Sequence, residues 1–281
     1  MSEKLREYYS SSLEYMESLR KNEEKEYSAY LEECSAGLPP GASLLECGCG
    51  LGHSSKLLSL RGCAVTGTDI SPLFVEEARK KHGETAALKF QVEDAARMSF
   101  PDRAFDVVCS ALFLEHTSEV EKVLGEMVRV LKPGGKLVAA IPSFLDPVQH
   151  LKEFLRWKDR QVCRPWEARS RAGALYRFFS TSALVVLKAA GLNRKIYRLE
   201  PVLSEKADAC GHDFDAAWLA NQFDVRRLLK EMGMSVRVII PEGGEGPVAR
   251  LMEKIKFPPA IRNAYGALRA SGFMVVARKD L

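Results

Sequence analysis

The chain has 281 residues, of which 46% are hydrophobic, enough to build one large α/β domain with additions. Its 41 basic and 37 acidic residues nearly balance, so the formal charge of +4 does not require nucleic acid as a partner. The seven cysteines are scattered, without the paired spacing of a zinc site or a secreted disulfide framework, so no metal site is expected. No apolar run reaches the ~18 residues of a membrane span, and the charged start is unlike a signal peptide. These features predict a soluble, cytoplasmic protein.

The first segment of the chain has a helical composition. Residues 3–34 are rich in Glu, Lys, Leu and Tyr and contain neither Gly nor Pro, which predicts one or two amphipathic helices. Residues 37–41 (GLPPG) interrupt this pattern. We therefore expect a helical extension over residues 1–36.

Beyond residue 41, short β-rich runs alternate with helical patterns. Such alternation predicts a parallel sheet with crossover helices. Five strands are expected, over residues 43–47, 64–68, 88–92, 105–109 and 136–141. Residues 37–143 would then form a central α/β core.

The helices between these strands carry start and stop signals. Ser71 precedes Pro72, which predicts a capping hydroxyl followed by proline in the first helical position. Ser118 and Glu121 fit a capping box, so a helix is expected over residues 119–131. The sequence KPGG at residues 132–135 is expected to end that helix before the fifth strand.

The regular alternation stops after Pro142. Residues 144–222 hold all three tryptophans, and residues 151–180 contain six arginines and six aromatic residues. This stretch is interpreted as a helical insertion that forms a lid and pocket over the sheet edge, because arginines and aromatic rings bind anions and flat rings. Plain amphipathic helices with a solvated basic face are the alternative. Residues 223–281 are expected to complete the sheet, with a helix over 224–230 and strands over 236–240 and 273–277.

The strongest local motif is the glycine-rich turn at residues 46–52 (ECGCGLG), directly after the first expected strand. Glycines permit a tight strand-to-helix turn and close approach of a ligand to the N–H groups of the next helix. A dinucleotide fold usually has the spacing G-x-G-x-x-G, whereas this turn reads G-x-G-x-G and follows Glu46. A carboxylate would repel a pyrophosphate and attract a cationic ligand. The turn therefore disfavours a nicotinamide dehydrogenase.

Two further acidic residues follow the next two expected strands. Asp69 comes about twenty residues after the glycine turn, where a carboxylate can accept hydrogen bonds from the hydroxyls of a ribose. Asp94 follows the third strand and can accept from an exocyclic amine of adenine, although a solvated loop aspartate is the simpler interpretation. Together with Glu46, these acids fall at the strand ends where open α/β sheets bind ligands.

Five ordered motifs resemble the class I S-adenosylmethionine-dependent methyltransferase family, in the style of its small-molecule enzymes. They are ECGCGLG at 46–52, TDIS at 68–71, EDA at 93–95, FDVV at 105–108 and RVLKPGG at 129–135. The resemblance covers residues 40–143 well and the last two strands loosely. It implies a Rossmann-like, seven-stranded, mostly parallel sheet with helices on both faces and an antiparallel last strand.

The resemblance also implies S-adenosylmethionine as cofactor, S-adenosylhomocysteine as product and a set of binding residues. Glu46, Gly48 and Gly50 would hold the methionine end, Asp69 the ribose and Asp94 the adenine. The full set of implied cofactor-binding residues is Glu46, Gly48, Cys49, Gly50, Gly52, Asp69, Ile70, Asp94, Ala95, Ser110, Ala111 and Leu112. The family often has Thr or Ser where this chain has Leu51, a departure that affects one minor contact.

Methyl transfer from a sulfonium needs alignment and a dry pocket more than a base. For a hydroxyl acceptor, His116 is the first candidate for a catalytic base. The alternative, which is about equally supported, is that His116 only makes a local hydrogen bond at the start of a helix. His150 and His212 are further candidates. His212 with Cys210 lacks the remaining ligands of a metal site, so no metal is expected.

The expected acceptor is a small molecule of quinone, lipid or sugar type, anionic or aromatic, with O-methylation favoured. No nucleic acid partner and no membrane span are expected, and a homodimer is compatible with the sequence. Alternatives are an RNA or protein methyltransferase and a non-catalytic protein that binds S-adenosylmethionine, since fold does not fix activity.

Overall fold

A computed structural model of the chain describes residues 3–22, 28–155, 157, 168–201, 215–239 and 272–280. Its helices are α1 Glu3–Ser11, α2 Leu13–Asn22, α3 Ser28–Ser35, α4 His53–Leu60, α5 Pro72–His82, α6 Val120–Val130, α7 Pro147–Leu155, α8 Arg171–Ala189 and α9 Gln222–Glu231. Its strands are β1 Ser43–Cys47, β2 Ala64–Asp69, β3 Leu88–Val92, β4 Phe105–Ala111, β5 Leu131–Pro142, β6 Met234–Ile239 and β7 Gly272–Lys279. A 3₁₀ turn, Leu114–His116, follows β4.

The strands form one sheet in the order β3-β2-β1-β4-β5-β7-β6. β7 is antiparallel to both of its neighbours, and the other pairs are parallel. The chain steps outward from β1 to β3 and then returns to the other side of β1 with β4. The order therefore reverses between β1 and β4, and in open α/β sheets ligands bind in the crevice at such a point, beyond the carboxyl ends of the strands. The predicted fold class and all seven predicted strands are confirmed.

The central strands are buried on both faces. In β1 the neighbouring residues Leu44 and Leu45 point to opposite sides of the sheet, and both are fully buried. Val107 and Val108 repeat this arrangement in β4. Continuous apolar runs of this kind are typical of parallel strands covered by helices on both sides, which is why the sequence pattern identified them.

The signals at the helix starts have mixed outcomes. Ser71 caps α5 as predicted, since its hydroxyl accepts a hydrogen bond from the Phe74 N–H at 3.3 Å and Pro72 is the first helical residue. The capping box predicted for Ser118 and Glu121 is wrong. The residue at the cap of α6 is Glu119, without a side-chain capping bond, because the preceding chain is held in the 3₁₀ turn.

The KPGG sequence at residues 132–135 does not separate a helix from a strand. α6 ends at Val130, β5 begins at the next residue, and Gly134 takes a left-handed φ of 74° within the strand. Phe105 pairs with Leu131 and Val107 with Lys136, so residues 132–135 form a bulge in the ladder. The end of the helix is therefore predicted to within one residue, whereas residues 132–135 lie inside β5 and not before it, because pairing with β4 extends the strand on both sides of them.

A buried ion pair joins α8 to α9. The Lys188 ammonium donates to both carboxylate oxygens of Asp224, at 2.8 and 2.7 Å, and also to the Lys195 carbonyl. Both charged side chains are at most 2% exposed. Asn221 donates a further hydrogen bond to Asp224, so the carboxylate is surrounded by donors. The pair fixes the insertion to the helix that precedes β6.

We expect Lys188→Met to lower the free energy of unfolding by about 3 kcal/mol, because it leaves Asp224 as a buried charge without its ammonium partner. Urea denaturation measures the change. Arg237→Met is the matched control, since the Arg237–Glu33 pair is exposed on the arginine side (63%) and should contribute about 1 kcal/mol or less. Equal losses in the two variants would contradict the assigned role of the buried pair.

Candidate functional site

The glycine-rich turn after β1 is held by backbone conformation and by packing. Gly48, Gly50 and Gly52 have left-handed φ angles of 70°, 52° and 79°. A Cβ on Gly48 would lie 2.4 Å from the Phe113 ring, and one on Gly52 would lie 2.6 Å from the Phe90 ring. Gly48 and Gly52 are therefore required by neighbouring aromatic rings, which the sequence interpretation missed. Gly50 is more open, since among the described residues a Cβ there would meet only Leu19 of α2, at 3.6 Å.

The side chain of Glu46, the residue that begins this turn, is buried. Tyr30 of α3 donates a hydrogen bond to its Oε1 at 3.0 Å, and Ser55 of α4 donates to its Oε2 at 2.5 Å. Burial raises the pKa of the Glu46 carboxyl, and hydrogen bonds from Ser55, Ser54 and Tyr30 partly offset that increase. Tyr30 and Ser55 were not identified from the sequence, because nothing local marks them as partners of Glu46.

Asp69 links the end of β2 to the glycine turn. Its Oδ2 accepts a hydrogen bond from the Gly50 N–H at 3.0 Å, and its Oδ1 accepts from the Ser71 N–H at 3.0 Å. Burial raises the pKa of this carboxyl, while N–H groups of Ser71, Gly50 and Ile70 and the charge of His116 act in the opposite direction. Cys49, also buried, is tied to β2 by its N–H bond to the Thr68 carbonyl.

Asp94 follows β3 and lies under the N-terminal helix. Its Oδ1 accepts from the Ala96 N–H at 3.0 Å, and its Oδ2 pairs with the Arg6 guanidinium of α1 at 2.5 Å. The neighbouring Ala95 packs against the main core cluster. Glu46 lies next to the last residue of β1, Asp69 ends β2 and Asp94 follows β3. Because these strands are adjacent and parallel, the three acidic residues lie at the carboxyl ends of neighbouring strands.

The N-terminal helices pack over this edge. Their apolar cluster, together with residues from the sheet edge, consists of Leu5, Tyr8, Tyr9, Tyr15, Met16, Leu19, Leu51, Ile70, Leu73, Phe74 and Ala217. The Ser71 hydroxyl donates to the Tyr9 carbonyl at 2.7 Å, and Arg20 pairs with Glu77 of α5. The glycine turn and the Asp69 loop therefore lie beneath α1 and α2.

The end of β4 supplies the other side of the crevice. Ser110 is fully buried, and its hydroxyl has no hydrogen-bond partner in the part of the chain that the structure describes. Ala111 is partly buried, and Leu112 is 43% exposed with a left-handed φ of 51°. A left-handed leucine is uncommon, and it turns the chain so that Phe113 lies against Gly48.

His116 lies between two carboxylates in the 3₁₀ turn after β4. Its Nδ1 is 3.3 Å from Asp215 Oδ1, and its Nε2 is 3.7 Å from Glu115 Oε1. Tyr9 of α1 donates a hydrogen bond at 2.6 Å to the other oxygen of Asp215. Burial acts to raise the pKa of Asp215, but the His116 charge and hydrogen bonds from His116 and Tyr9 outweigh it, so that the pKa is lowered.

The segment that carries Asp215 is bound directly to the 3₁₀ turn. The Ala217 N–H donates to the Glu115 carbonyl at 2.8 Å, and the Trp218 indole donates to the Leu114 carbonyl at 2.8 Å. Trp218 is fully buried, so its ring fills the core and its N–H fixes the turn. Trp218 was predicted as part of the insertion, whereas Asp215 was not identified from the sequence.

Of the two other histidine candidates, the structure describes His150. His150 is buried in α7, with its Nδ1 3.2 Å from Glu153 Oε2. His212, Cys210 and Trp166 lie outside the described residues. Within the described ranges, no three His, Cys, Asp or Glu side chains form a group that could hold a metal. No helix in those ranges is long and apolar enough to cross a membrane.

Comparisons with known proteins agree with this architecture. Residues 45–139 match a family model described as a methyltransferase domain. The chain is 44% identical over 104 residues to 2-methyl-6-phytyl-1,4-hydroquinone methyltransferase of Synechocystis, covering 37% of this chain and 33% of that protein. It is 34% identical over 160 residues to demethylmenaquinone methyltransferase of Thermobifida fusca, covering 56% of this chain and 67% of that protein.

A solved structure supports the fold separately. The crystal structure of an S-adenosylmethionine-dependent methyltransferase from Mesorhizobium loti matches with a TM-score of 0.55 at 16% identity, covering 90% of this chain and 97% of that chain. The fold, the family model and the Thermobifida relative together show that the chain belongs to the class I S-adenosylmethionine-dependent methyltransferases. The predicted family is confirmed. The match to the hydroquinone methyltransferase spans only a third of that relative's length.

The buried Glu46 gives a pH-dependent prediction for the ligand-free protein. Since its carboxyl pKa is raised above the ordinary 4.5, the folded chain binds this proton more tightly than the unfolded chain, and stability falls as pH rises through that window. We expect Glu46→Gln to gain stability relative to the parent protein as pH rises from about 4 towards 8, because the amide removes the buried charge. Denaturant unfolding across this pH range measures the difference.

Glu84→Gln is a control of opposite sign. A hydrogen bond from the Phe90 N–H lowers the pKa of Glu84, so its carboxylate stabilises the fold above the unfolded pKa and loses this effect as pH falls. The Glu84 variant should lose stability relative to the parent as pH rises. Parallel curves for the two variants would contradict the assignment for Glu46.

Proposed function

We propose that this chain transfers a methyl group from S-adenosylmethionine to a hydroxyl group of a small aromatic acceptor of the quinol type. The observation that carries the proposal is the convergence of Glu46, Asp69 and Asp94 at three neighbouring strand ends around a glycine turn. Acidic groups favour a cationic ligand, and the set suits its ammonium, ribose and adenine parts.

The residues present fit this cofactor chemically. A buried hydroxyl without a partner costs about 1–3 kcal/mol, and Ser110 is such a group among the described residues, at the end of the strand next to β1. A ligand in the crevice would satisfy it. When bound, S-adenosylmethionine supplies an activated methyl group on a sulfonium.

We assign the binding roles as follows. Glu46, Gly48 and Gly50 hold the methionine end, Asp69 the ribose and Asp94 the adenine. Cys49, Gly52, Ile70, Ala95, Ser110, Ala111 and Leu112 shape the walls. Since Asp94 also pairs with Arg6 and Gly50 faces Leu19, α1 and α2 form one side of the pocket.

These binding roles imply a different role for each segment of the chain. Residues 1–36 cover the cofactor, residues 37–143 and 223–281 form the core sheet, and residues 144–222 form the acceptor side. In the last of these ranges, the described part supplies Asp215 beside His116 and Trp218 beneath the same turn. We therefore place the acceptor near the end of β4, beside α1, whose Tyr9 donates a hydrogen bond to Asp215.

His116 serves as the general base in this proposal, and Asp215 positions it. With the donor bound, the acceptor hydroxyl would give its proton to the imidazole while its oxygen forms a bond to the methyl group, and the bond from that methyl to the sulfonium would break to leave S-adenosylhomocysteine. Asp215 holds the Nδ1 side of the ring, and Tyr9 holds Asp215. Only 13% of the His116 side chain is exposed, so the ring works in a largely dry pocket where alignment and electrostatics are effective.

The class of acceptor rests on the named relatives. Two of them act on a hydroquinone and on demethylmenaquinone, according to their names. Both names describe a quinone-type ring, which agrees with an aromatic acceptor. Lipid or sugar acceptors are the next candidates to include in an assay.

A methyl-transfer assay and calorimetry test this function together. With labelled S-adenosylmethionine and a panel of hydroquinones, we expect label in the quinol product. Asp69→Ala should weaken binding of S-adenosylmethionine by about tenfold or more through loss of hydrogen bonds to a charged acceptor, while His116→Ala should leave it within about twofold. Asp69→Asn removes the negative charge and one of the two acceptor oxygens, so it keeps one of the two loop contacts and should retain part of the affinity.

Different results would support different functions. Tight binding without transfer to any acceptor in the panel would favour a non-catalytic protein that binds S-adenosylmethionine. Transfer to RNA or protein alone would contradict a small-molecule acceptor. Unchanged affinity in Asp69→Ala would overturn the ribose assignment.

A second prediction concerns the His116–Asp215 pair. We expect Asp215→Asn and His116→Ala each to lower kcat by about 10²-fold, because a positioned base contributes on that order. The double variant should be hardly slower than either single variant, since the two residues act as a unit. Tyr9→Phe should have a smaller effect, and donor affinity should not change in any of these variants.

The pH profile distinguishes this role from a structural one. The decrease of kcat at acidic pH should disappear in His116→Ala and move along the pH axis in Asp215→Asn. Asp215→Glu should keep part of the rate that Asp215→Asn loses. The groups around the imidazole that also titrate are Glu115, Asp69, Tyr9 and Tyr15. Additive losses with an unaltered profile would show that Asp215 only supports the fold.

A further inference from the structure

An apolar stripe runs along the solvent side of α8. The helix buries Ala174, Val185 and Lys188 against the rest of the protein. On its other side Tyr176 is 73% exposed, Phe179 62% and Val186 64%. We define the α8 stripe by these exposed residues together with Ala172, Leu175, Ala183 and Leu187. Their spacing of three to four residues places them on one face along the length of the helix.

The charged residues of α8 itself are all basic. α8 contains no acidic residue over its 19 residues. Arg169 and Arg171 are exposed at its N-terminal end, and Lys195 is exposed beyond its C-terminal end, next to Leu192 at 76% exposure. A helix with aromatic and aliphatic residues on one face and basic residues at its borders is typical of a segment that lies in a membrane interface.

The same charges argue against a second copy of the chain as the occupant. In an antiparallel pairing of two stripes, Arg169 and Arg171 would approach Lys195, and in a parallel pairing the arginines would approach one another. No carboxylate on α8 can compensate. An anionic lipid surface attracts all of these residues at once.

The stripe is connected to the candidate site through short contacts. α7 begins soon after the end of β5, and the Phe144 N–H between them donates to the Ala220 carbonyl at 2.9 Å. The segment around Ala220 also carries Trp218 and Ala217, which are bonded to the 3₁₀ turn of His116. α7, which packs against α8, therefore adjoins the side of the site where we place the acceptor.

We propose that the α8 stripe docks the protein on an anionic phospholipid bilayer and places the acceptor side of the site towards the lipid. The reason for docking rests on the proposed function, because a quinol with an apolar tail partitions into the bilayer and docking would bring the site to it. Docking itself requires only the stripe and its flanking basic residues. It is peripheral, since α8 lies on the surface and the described helices do not span a membrane.

Vesicle flotation with the full chain tests docking without any methyl transfer. We expect the protein to float with phosphatidylcholine vesicles that contain about 30% phosphatidylglycerol, and much less with pure phosphatidylcholine, because basic residues bind anionic lipid. Phe179→Asp and Val186→Asp should each reduce the floated fraction by about tenfold, since they place a charge at the apolar face. Arg169→Gln with Lys195→Gln should reduce it and weaken its dependence on salt.

Leu60→Asp is the matched control, because Leu60 is 70% exposed on α4 and lies outside the stripe. This variant should float like the parent protein. Failure of the parent to float, or equal losses in the Leu60 and Phe179 variants, would overturn the proposal. So would a change from dimer to monomer in the Phe179 variant, measured by light scattering, since the stripe would then bind a second copy.

Calorimetry with S-adenosylmethionine on the same preparations separates this inference from the proposed function. We expect the Phe179 and Val186 variants to bind the donor like the parent. A parent that floats but binds no donor would contradict the proposed function and leave docking supported. A parent that binds donor but does not float would contradict docking alone.

Discussion

The rest of the site depends on the hydrogen bonds that the carboxylate of Asp69 accepts. One oxygen holds the Gly50 N–H of the glycine turn, and the other holds the Ser71 N–H at the entry to α5. Ser71 in turn caps α5 and binds the Tyr9 carbonyl of α1. A single side chain at the end of β2 thus sets the position of the turn, the start of a sheet helix and, through Ser71, the N-terminal helix. Its raised pKa reflects the burial that this arrangement requires.

The strands were predictable because each is short, apolar and bounded by breaking residues. Such strands are buried on both faces, and burial leaves a continuous apolar run that local sequence shows. The role of residues 132–135 was not predicted, because it depends on a contact with residues that are distant in sequence. Whether KPGG ends a helix or forms a bulge is decided by pairing with β4, and residue 105 is far from residue 131 in sequence. The capping box at Ser118 failed similarly, because a 3₁₀ turn occupies the preceding residues.

The acidic positions of the candidate site could be predicted from topology. Glu46, Asp69 and Asp94 each end or follow a strand, and parallel strands bring their carboxyl ends to one edge. Their partners could not be predicted, since Tyr30, Ser55 and Arg6 come from helices whose packing is fixed only in three dimensions. Asp215 lies 99 residues from His116 in the chain and meets it only through the Trp218 anchor. Gly48 and Gly52 are likewise required by the rings of Phe113 and Phe90, which are distant in sequence.

The hydrogen bond between Tyr9 and Asp215 has a consequence for the order of events at the site. α1 is attached to the sheet edge by the Arg6–Asp94 ion pair, which is exposed on the arginine side and therefore contributes little and weakens with salt, and by this buried bond together with the tyrosine cluster. Under the proposed function, displacing α1 to admit the cofactor also removes a partner of Asp215 and loosens the histidine that Asp215 orients. The base is then fully aligned only after the N-terminal helix has returned. Entry of the cofactor and removal of the acceptor proton are therefore coupled, so that the site is inactive while it is open.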